Sequence, residues 1–317
     1  MGVLDVESFI PVLRAIEARL PDPRRALDAL QRGSVDEALA EIEGTMFETV
    51  LARAAEERRG FEETESELIK RAALLVDELR RLVPDELEEL LSLLVALIDV
   101  ANLVTLVSHG GRPPIEALLP MGEVYACWAE KGGEALAYDC VAASPIAQFV
   151  DRHEFEECLR SRSRLLEVSA RARLGIMKRV LEEMERLGVE IHAISAIRTW
   201  IAIELAKMVE VCRIGGCLEE IDRASRSVLG IEADIGKILS SPLVDTRSCE
   251  EAVKRVVEIV ERGGERGSVA LYRLIADYVV KPLTIPGEGP EMLVALFLQL
   301  YTSIAVSRYV YWAGASL

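Results

Sequence analysis

Three long apolar segments that stop in the same way leave this chain little choice of fold class. Asn102-LVTLVSH runs into Gly110-Gly111, Lys207-MVEVCRI into Gly215-Gly216, and Ala305-VSRYVYW into Ala313-Gly314. Small residues at such ends suit the left-handed turn that closes a helix. The three are spaced by about 105 and about 98 residues, much longer than a solenoid period. They predict an all-α chain of three related helical segments, 1–115, 116–220 and 221–317. A second echo, Glu37-ALAEIEGTMFETVLA against Glu134-ALAYDCVAASPIAQFV, points the same way.

Helical periodicity fills the intervals. Phe9, Ile10, Leu13, Ile16 and Leu20 make one stripe, broken by Pro21 and Pro23. Ser34 with Glu37 fits a capping box. Helices are expected over 62–82, 85–108, 155–187, 195–214, 249–262, 268–280 and 291–312, with shorter ones between. Gly263–Gly267 is expected to be a flexible loop, and so is Pro282–Pro290. No run of alternating residues predicts a strand.

Composition excludes several partners. A net charge of -16 repels phosphate backbones and anionic lipid headgroups, so neither nucleic acid nor direct membrane docking is expected. Basic residues are 30 Arg against 7 Lys, and Asn102 is the only asparagine, a bias of heat-adapted proteins or of GC-rich genomes. Residues 1–9 carry neither a basic region nor a long apolar run, so no signal peptide is expected. Met292–Leu317 is long enough to span a bilayer, but Arg308 would then lie in hydrocarbon; a buried C-terminal helix is the expectation. Cys127, Cys140, Cys158, Cys212, Cys217 and Cys249 form no CxxC pair and are expected to be free buried thiols, with a disulfide as the alternative.

No phosphate loop, zinc-protease helix or nucleophile elbow is present. His109, His153 and His192 lack a Cys or Ser neighbour in sequence. No catalytic residue, metal ligand or cofactor is therefore expected. Asp99 and Asn102 share one face of an apolar helix and are expected to form a buried polar network that sets helix register. With Lys207, Arg213 and Arg308 they are the candidate hallmark residues of the repeat.

Several stretches resemble the C/d-type central-stalk family of rotary ATPases, found in archaeal and bacterial A/V-type ATP synthases and in eukaryotic V-ATPases. Ser8-FIPVLRAIEARL-Pro21 and Leu30-QRGSVDEALAEIEGTMFETVLA are similar to the family's opening helices, with Thr45-Met46-Phe47 at its L-x-x-T-x-Y turn. Asp99-VANLVTLVSHGG resembles its D-x-x-N-L-x-x-x-x-R helix, Ala117-LLPMGEVYACW its L-x-x-G-x-L segment, and Pro290-EMLVALFLQLYTSIAVSRYV its last helix. Departures mark a divergent member: Ser108 or His109 stands near the family's Arg, Glu204 and Lys207 replace an Asp and an Asn, and the last helix lacks K-E-x-E. The resemblance implies a funnel of three pseudo-threefold-related helical bundles. It implies a non-catalytic rotor component that couples the central-shaft subunits to the membrane rotor ring, for proton or sodium transport. The protein would sit on the cytoplasmic face of the membrane and touch it only through the ring. The alternatives are an all-helical enzyme, which would need converging acidic motifs, and a helical scaffold.

Overall fold

A computed structural model describes residues 5–131, 136–284 and 289–315, with side chains except at 31, 61, 264–269 and 314–315. The described residues contain helices and no strand. In order the α-helices are α1 (Val6–Glu17), α2 (Pro23–Gln31), α3 (Val35–Ala40), α4 (Glu48–Glu56), α5 (Phe61–Leu82), α6 (Asp85–Ser108), α7 (Gly122–Lys131), α8 (Ala137–Ala142), α9 (Arg152–Ser161), α10 (Leu165–Arg186), α11 (Ile191–Gly215), α12 (Leu218–Leu229), α13 (Ile235–Leu239), α14 (Arg247–Arg262), α15 (Gly264–Ile275), α16 (Lys281–Thr284) and α17 (Gly289–Ala315). A π-helical turn, Ala276–Val280, joins α15 to α16.

Short polar side chains start many of these helices by accepting backbone N–H bonds that would otherwise lack partners. Asp5, Asp22, Ser34 and Asp234 act so for α1, α2, α3 and α13. Ser34 accepts from Glu37 N, but the Glu37 carboxylate pairs with Arg32 at 2.6 Å, so only half of the expected capping box forms. The full box is Asp151 with Glu154 at the start of α9.

Other expectations also shift. The helix expected over 155–187 is broken at Arg162, whose φ of 52° closes α9 before α10 begins. The glycine-rich 263–267 stretch is not a loop: Gly263 turns the chain and α15 begins at Gly264. Residues 281–284 are helical, and the rest of the expected 282–290 loop up to 288 lies outside the described residues.

The element order recurs. A short helix, a shorter one, a hydroxyl turn, a helix and two long helices follow one another in α2–α6, in α7–α11 and in α12–α17. The penultimate long helices α5 and α10 each have 22 residues, and α15, the π-turn and α16 take that place in the last set. The final helices have 24, 25 and 27 residues. Each hydroxyl turn has the same local bond: Phe47 N to Thr45 Oγ1 at 3.4 Å, Ile146 N to Ser144 Oγ at 3.4 Å, and Leu243 N to Ser241 Oγ at 3.3 Å. The apolar residue so placed is buried each time.

The chain divides into two compact units. One comprises Met1–Glu88, Glu190–Ala196 and Glu261–Leu317; the other comprises Glu89–Val189 and Ile197–Val260. In the first, α17 packs against α1, α2, α3, α5 and α15, burying Leu293, Val294, Leu298 and Val306 with Phe9, Leu13, Leu27 and Leu75. In the second, α10 packs along α12, and Leu174, Met177, Val180, Ile197, Ile201 and Leu205 are buried. Removing one such Leu side chain down to Ala costs about 2–5 kcal/mol. α6 and α17 are long and apolar enough to cross a membrane, but 72% and 78% of their most apolar stretches are buried inside the fold. The expectation of a buried C-terminal helix therefore agrees with the packing of α17. Its Arg308 meets Glu65 of α5 at 2.6 Å.

Candidate functional site

The helix-borne pair Asp99 and Asn102 forms a buried latch on the segment that leads into α7. Both side chains are at most 1% exposed. Asn102 uses every polar atom it has: Oδ1 accepts from Leu119 N at 2.8 Å, and Nδ2 donates to Leu119 O and Met121 O, each at 3.1 Å. Asp99 accepts from Glu123 N and Val124 N, both at 3.1 Å, and from Ser144 Oγ at 2.7 Å. The carboxylate thus caps the N-terminus of α7 from a neighbouring helix, where negative charge suits the helix dipole.

Only glycine fits between latch and segment. Gly122 has φ +87°, and a Cβ built on it would lie 2.0 Å from Asp99 Oδ1. The two motifs that stand apart in the sequence, Asp99–Asn102 and 117–128, therefore meet in space. Sequence reasoning includes Gly122 in the L-x-x-G-x-L segment but misses its fit against Asp99, and it misses the bond from Ser144. Ser144-Pro145 reads as a helix start, and Ser144 does cap a short 3-10 helix, Pro145–Gln148, but nothing local links it to Asp99, which is 45 positions away.

All of the donors to Asp99 are neutral. Burial is the largest influence and pushes its carboxyl up to about 6 from 3.8, against the three hydrogen bonds that favour the charged form.

The corresponding position 105 residues on is Glu204, and Lys207 corresponds to Asn102. Glu204 is 1% exposed. It accepts from Arg173 Nε at 3.1 Å and Lys207 Nζ at 2.6 Å. Burial again opposes the charge, but the two cations outweigh it and hold this carboxyl at about 2. An ion triad here replaces the latch of α6, in which the donors to the carboxylate are neutral. Arg173 also escapes sequence reasoning, because a charged helix carries many arginines and only packing shows which one faces inward.

The other candidates do not join these groups. Arg213 pairs with Glu210 at 2.7 Å near the end of α11. Arg308 lies in the other unit and pairs with Glu65; burial opposes its charge, and the carboxylate restores it, raising its pKa. At the position of Asp99 in α17 stands Thr302, whose hydroxyl bonds back to Leu298 O. Nearby, Gln299 and Ser303 donate to Pro21 O at 3.4 and 3.3 Å. So α17 holds the carbonyl before α2 much as α6 holds those before α7.

The chain matches no family model and no curated protein.

The cysteine expectation is corrected. Cys127 is bonded to Cys140, tying α7 to α8, and Cys212 to Cys217, while Cys158 and Cys249 are free and buried. Spacing alone does not report that these Cα atoms lie 5.3 and 4.6 Å apart. The Cys212–Cys217 bond joins the two residues whose backbones already share the helix-ending hydrogen bond, Cys217 N to Cys212 O at 3.0 Å. Among the described residues no group of three or more His, Cys, Asp or Glu is placed to hold a metal ion. His109 Nδ1 lies 3.0 Å from Thr105 O, His153 3.7 Å from Glu157, and His192 3.0 Å from Glu190.

Proposed function

We propose that this chain is a non-catalytic coupling protein of the kind that the C/d-type central-stalk family provides in A/V-type ATP synthases. It would act as a helical socket between a rotating central shaft and a membrane rotor ring, on the cytoplasmic face of the membrane. The observation that carries the proposal is the threefold recurrence of one element order with one hydroxyl turn, at Thr45, Ser144 and Ser241. A socket between rotating parts needs repeated rigid modules rather than a reactive cleft.

Three features support this reading. The connections are clamped by side chains from long helices, as Asp99 and Asn102 clamp 119–124. The cores are Leu-, Ala- and Val-rich, and close packing makes such cores stiff. The polar groups with displaced pKa values in the latch and the triad are explained by structural bonds. In this reading three bundles surround an axial cavity, and the protein makes and breaks no covalent bond.

Co-purification tests it. The tagged full-length chain is mixed with detergent-solubilised rotor ring and, separately, with shaft proteins of an A/V-type ATP synthase from the same source. Retention of both, in one ternary complex, is expected. Failure to retain either, under conditions in which that enzyme's own socket protein is retained, would sink the proposal.

A further inference from the structure

α2, α6, α10 and α11 end with the same backbone bond, Ser34 N to Ala29 O, Gly111 N to Leu106 O, Val189 N to Met184 O and Cys217 N to Cys212 O. Each carries glycine at the left-handed position: Gly33, Gly110, Gly188 and Gly216. α4 ends with that bond too, Arg59 N to Ala54 O, but its left-handed residue is Arg58, with φ 51°. A side chain at that position strains the backbone where glycine would not. Among the described residues only Arg58 and Arg162 are non-glycine residues with positive φ. Arg162 uses its side chain: Nη2 donates to Ser108 O at 2.6 Å, at the end of α6. The exposed Arg58 guanidinium has no hydrogen bond or ion pair among the described residues.

Arg58 stands at the rim of a pocket of about 650 Å³ within the first unit, whose walls include Leu39, Ile42, Leu51, Val310 and Tyr311. That volume is in the range of small-ligand sites. Glu48, Leu51, Ala52, Ala55 and Arg58 line it along one side of α4 and beyond its end. At 1.5 Å per residue the helical part of that stripe, from Glu48 to Ala55, is about 10 Å long, enough for an alkyl chain to lie along it. The wall is braced, because the Tyr311 hydroxyl donates to Arg59 O at 2.8 Å and lies 3.2 Å from Ala54 O.

We infer that this pocket binds a long-chain fatty carboxylate, with its alkyl chain along α4 and its head group on Arg58. Apolar walls favour the chain, and an unpartnered guanidinium on the rim favours a carboxylate, which it can hold with two parallel bonds. Of the two acids on the rim, Glu48 already accepts from Gly44 N at 2.8 Å. Both stay like charges that limit affinity, Glu43 on the turn after α3 and Glu48 in the first turn of α4.

The test is calorimetric titration of the full-length chain with dodecanoate below its micellar range, with dodecanol as the uncharged comparison. Saturable one-to-one binding of dodecanoate is expected, at least tenfold tighter than that of dodecanol. Arg58→Gln and Arg58→Gly should each weaken it about tenfold or more, while Arg58→Gly leaves the melting temperature unchanged or higher. Ala55→Trp, a change at an exposed position, should block the pocket and abolish binding, and Glu43→Gln should tighten it. Absence of saturable binding, equal binding of alcohol and acid, or indifference to both Arg58 variants would overturn the inference.

Discussion

Gly122 and Asp99 are in such close register that the glycine has no substitute: its absent Cβ is the space taken by the carboxylate that caps α7. A positive φ and a steric conflict coincide at one residue, so the position is constrained twice.

Gly122→Ala should accordingly destabilise the protein by about 3 kcal/mol, combining left-handed strain with displacement of a buried capping group. Denaturant unfolding followed by circular dichroism measures this. An unchanged midpoint would mean that residues 118–124 move aside freely and that the latch is loose.

Asp99 predicts a pH dependence of unusual sign. Its folded-state pKa, raised by burial from 3.8 to about 6, means that the fold prefers the neutral acid. The corresponding stability is fully present below about pH 4 and is lost as pH rises through 6, on the order of 3 kcal/mol in all. Asp99→Asn removes this titration. The difference in unfolding free energy between the native chain and this variant should therefore change between pH 4 and 7. A flat difference over that window would show that the three donors hold Asp99 ionised throughout.

Glu204 should behave in the opposite way. Its carboxyl, held at about 2 by Arg173 and Lys207, contributes stability that is present above pH 4.5 and lost as pH falls through 2. Glu204→Gln at pH 7 removes the buried carboxylate that Arg173 and Lys207 share and should cost about 2–3 kcal/mol, since both cations are part-exposed. Pairing it with Lys207→Met should recover part of that cost. If the double variant is no more stable than the single one, the triad does not act as a unit.

Replacing both Cys212 and Cys217 by Ser should cost about 2 kcal/mol, the value expected for opening a short loop. The helix end itself should persist, since α6 closes with the same backbone bond, Gly111 N to Leu106 O at 2.8 Å, and no disulfide. Amide exchange at residue 217 reports on this. Exchange at the rate of an unfolded chain would show that the covalent bond, not the backbone bond, holds the turn.

Much of the fold is legible in the residues alone. The 85–108 helix is legible to the residue, because Pro84 and an acidic first turn mark its start and Gly110-Gly111 its end. The α9–α10 break is not, since an arginine rather than glycine takes the left-handed position at 162. The start of α15 is hidden for the converse reason: glycines that usually signal a loop open a helix here. At the candidate site, the burial of Asp99 and Asn102 follows from their apolar surroundings, whereas their partners at 119, 121–124 and 144 do not. The pairing of four of the six cysteines is likewise invisible in their spacing.

By itself the sequence determined the all-helical class, the long helices and their approximate ends, because these depend on periodicity, capping and backbone preference within a few residues. Tertiary structure alone decided what each buried polar group became. Asp99 and Glu204 occupy matching places in two of the long helices, yet one carboxyl is raised to about 6 and the other lowered to about 2. The reason is what packs against each: neutral N–H and O–H donors in one case, a guanidinium and an ammonium in the other. Coulomb interaction and desolvation act through space, and spacing along the chain does not encode them.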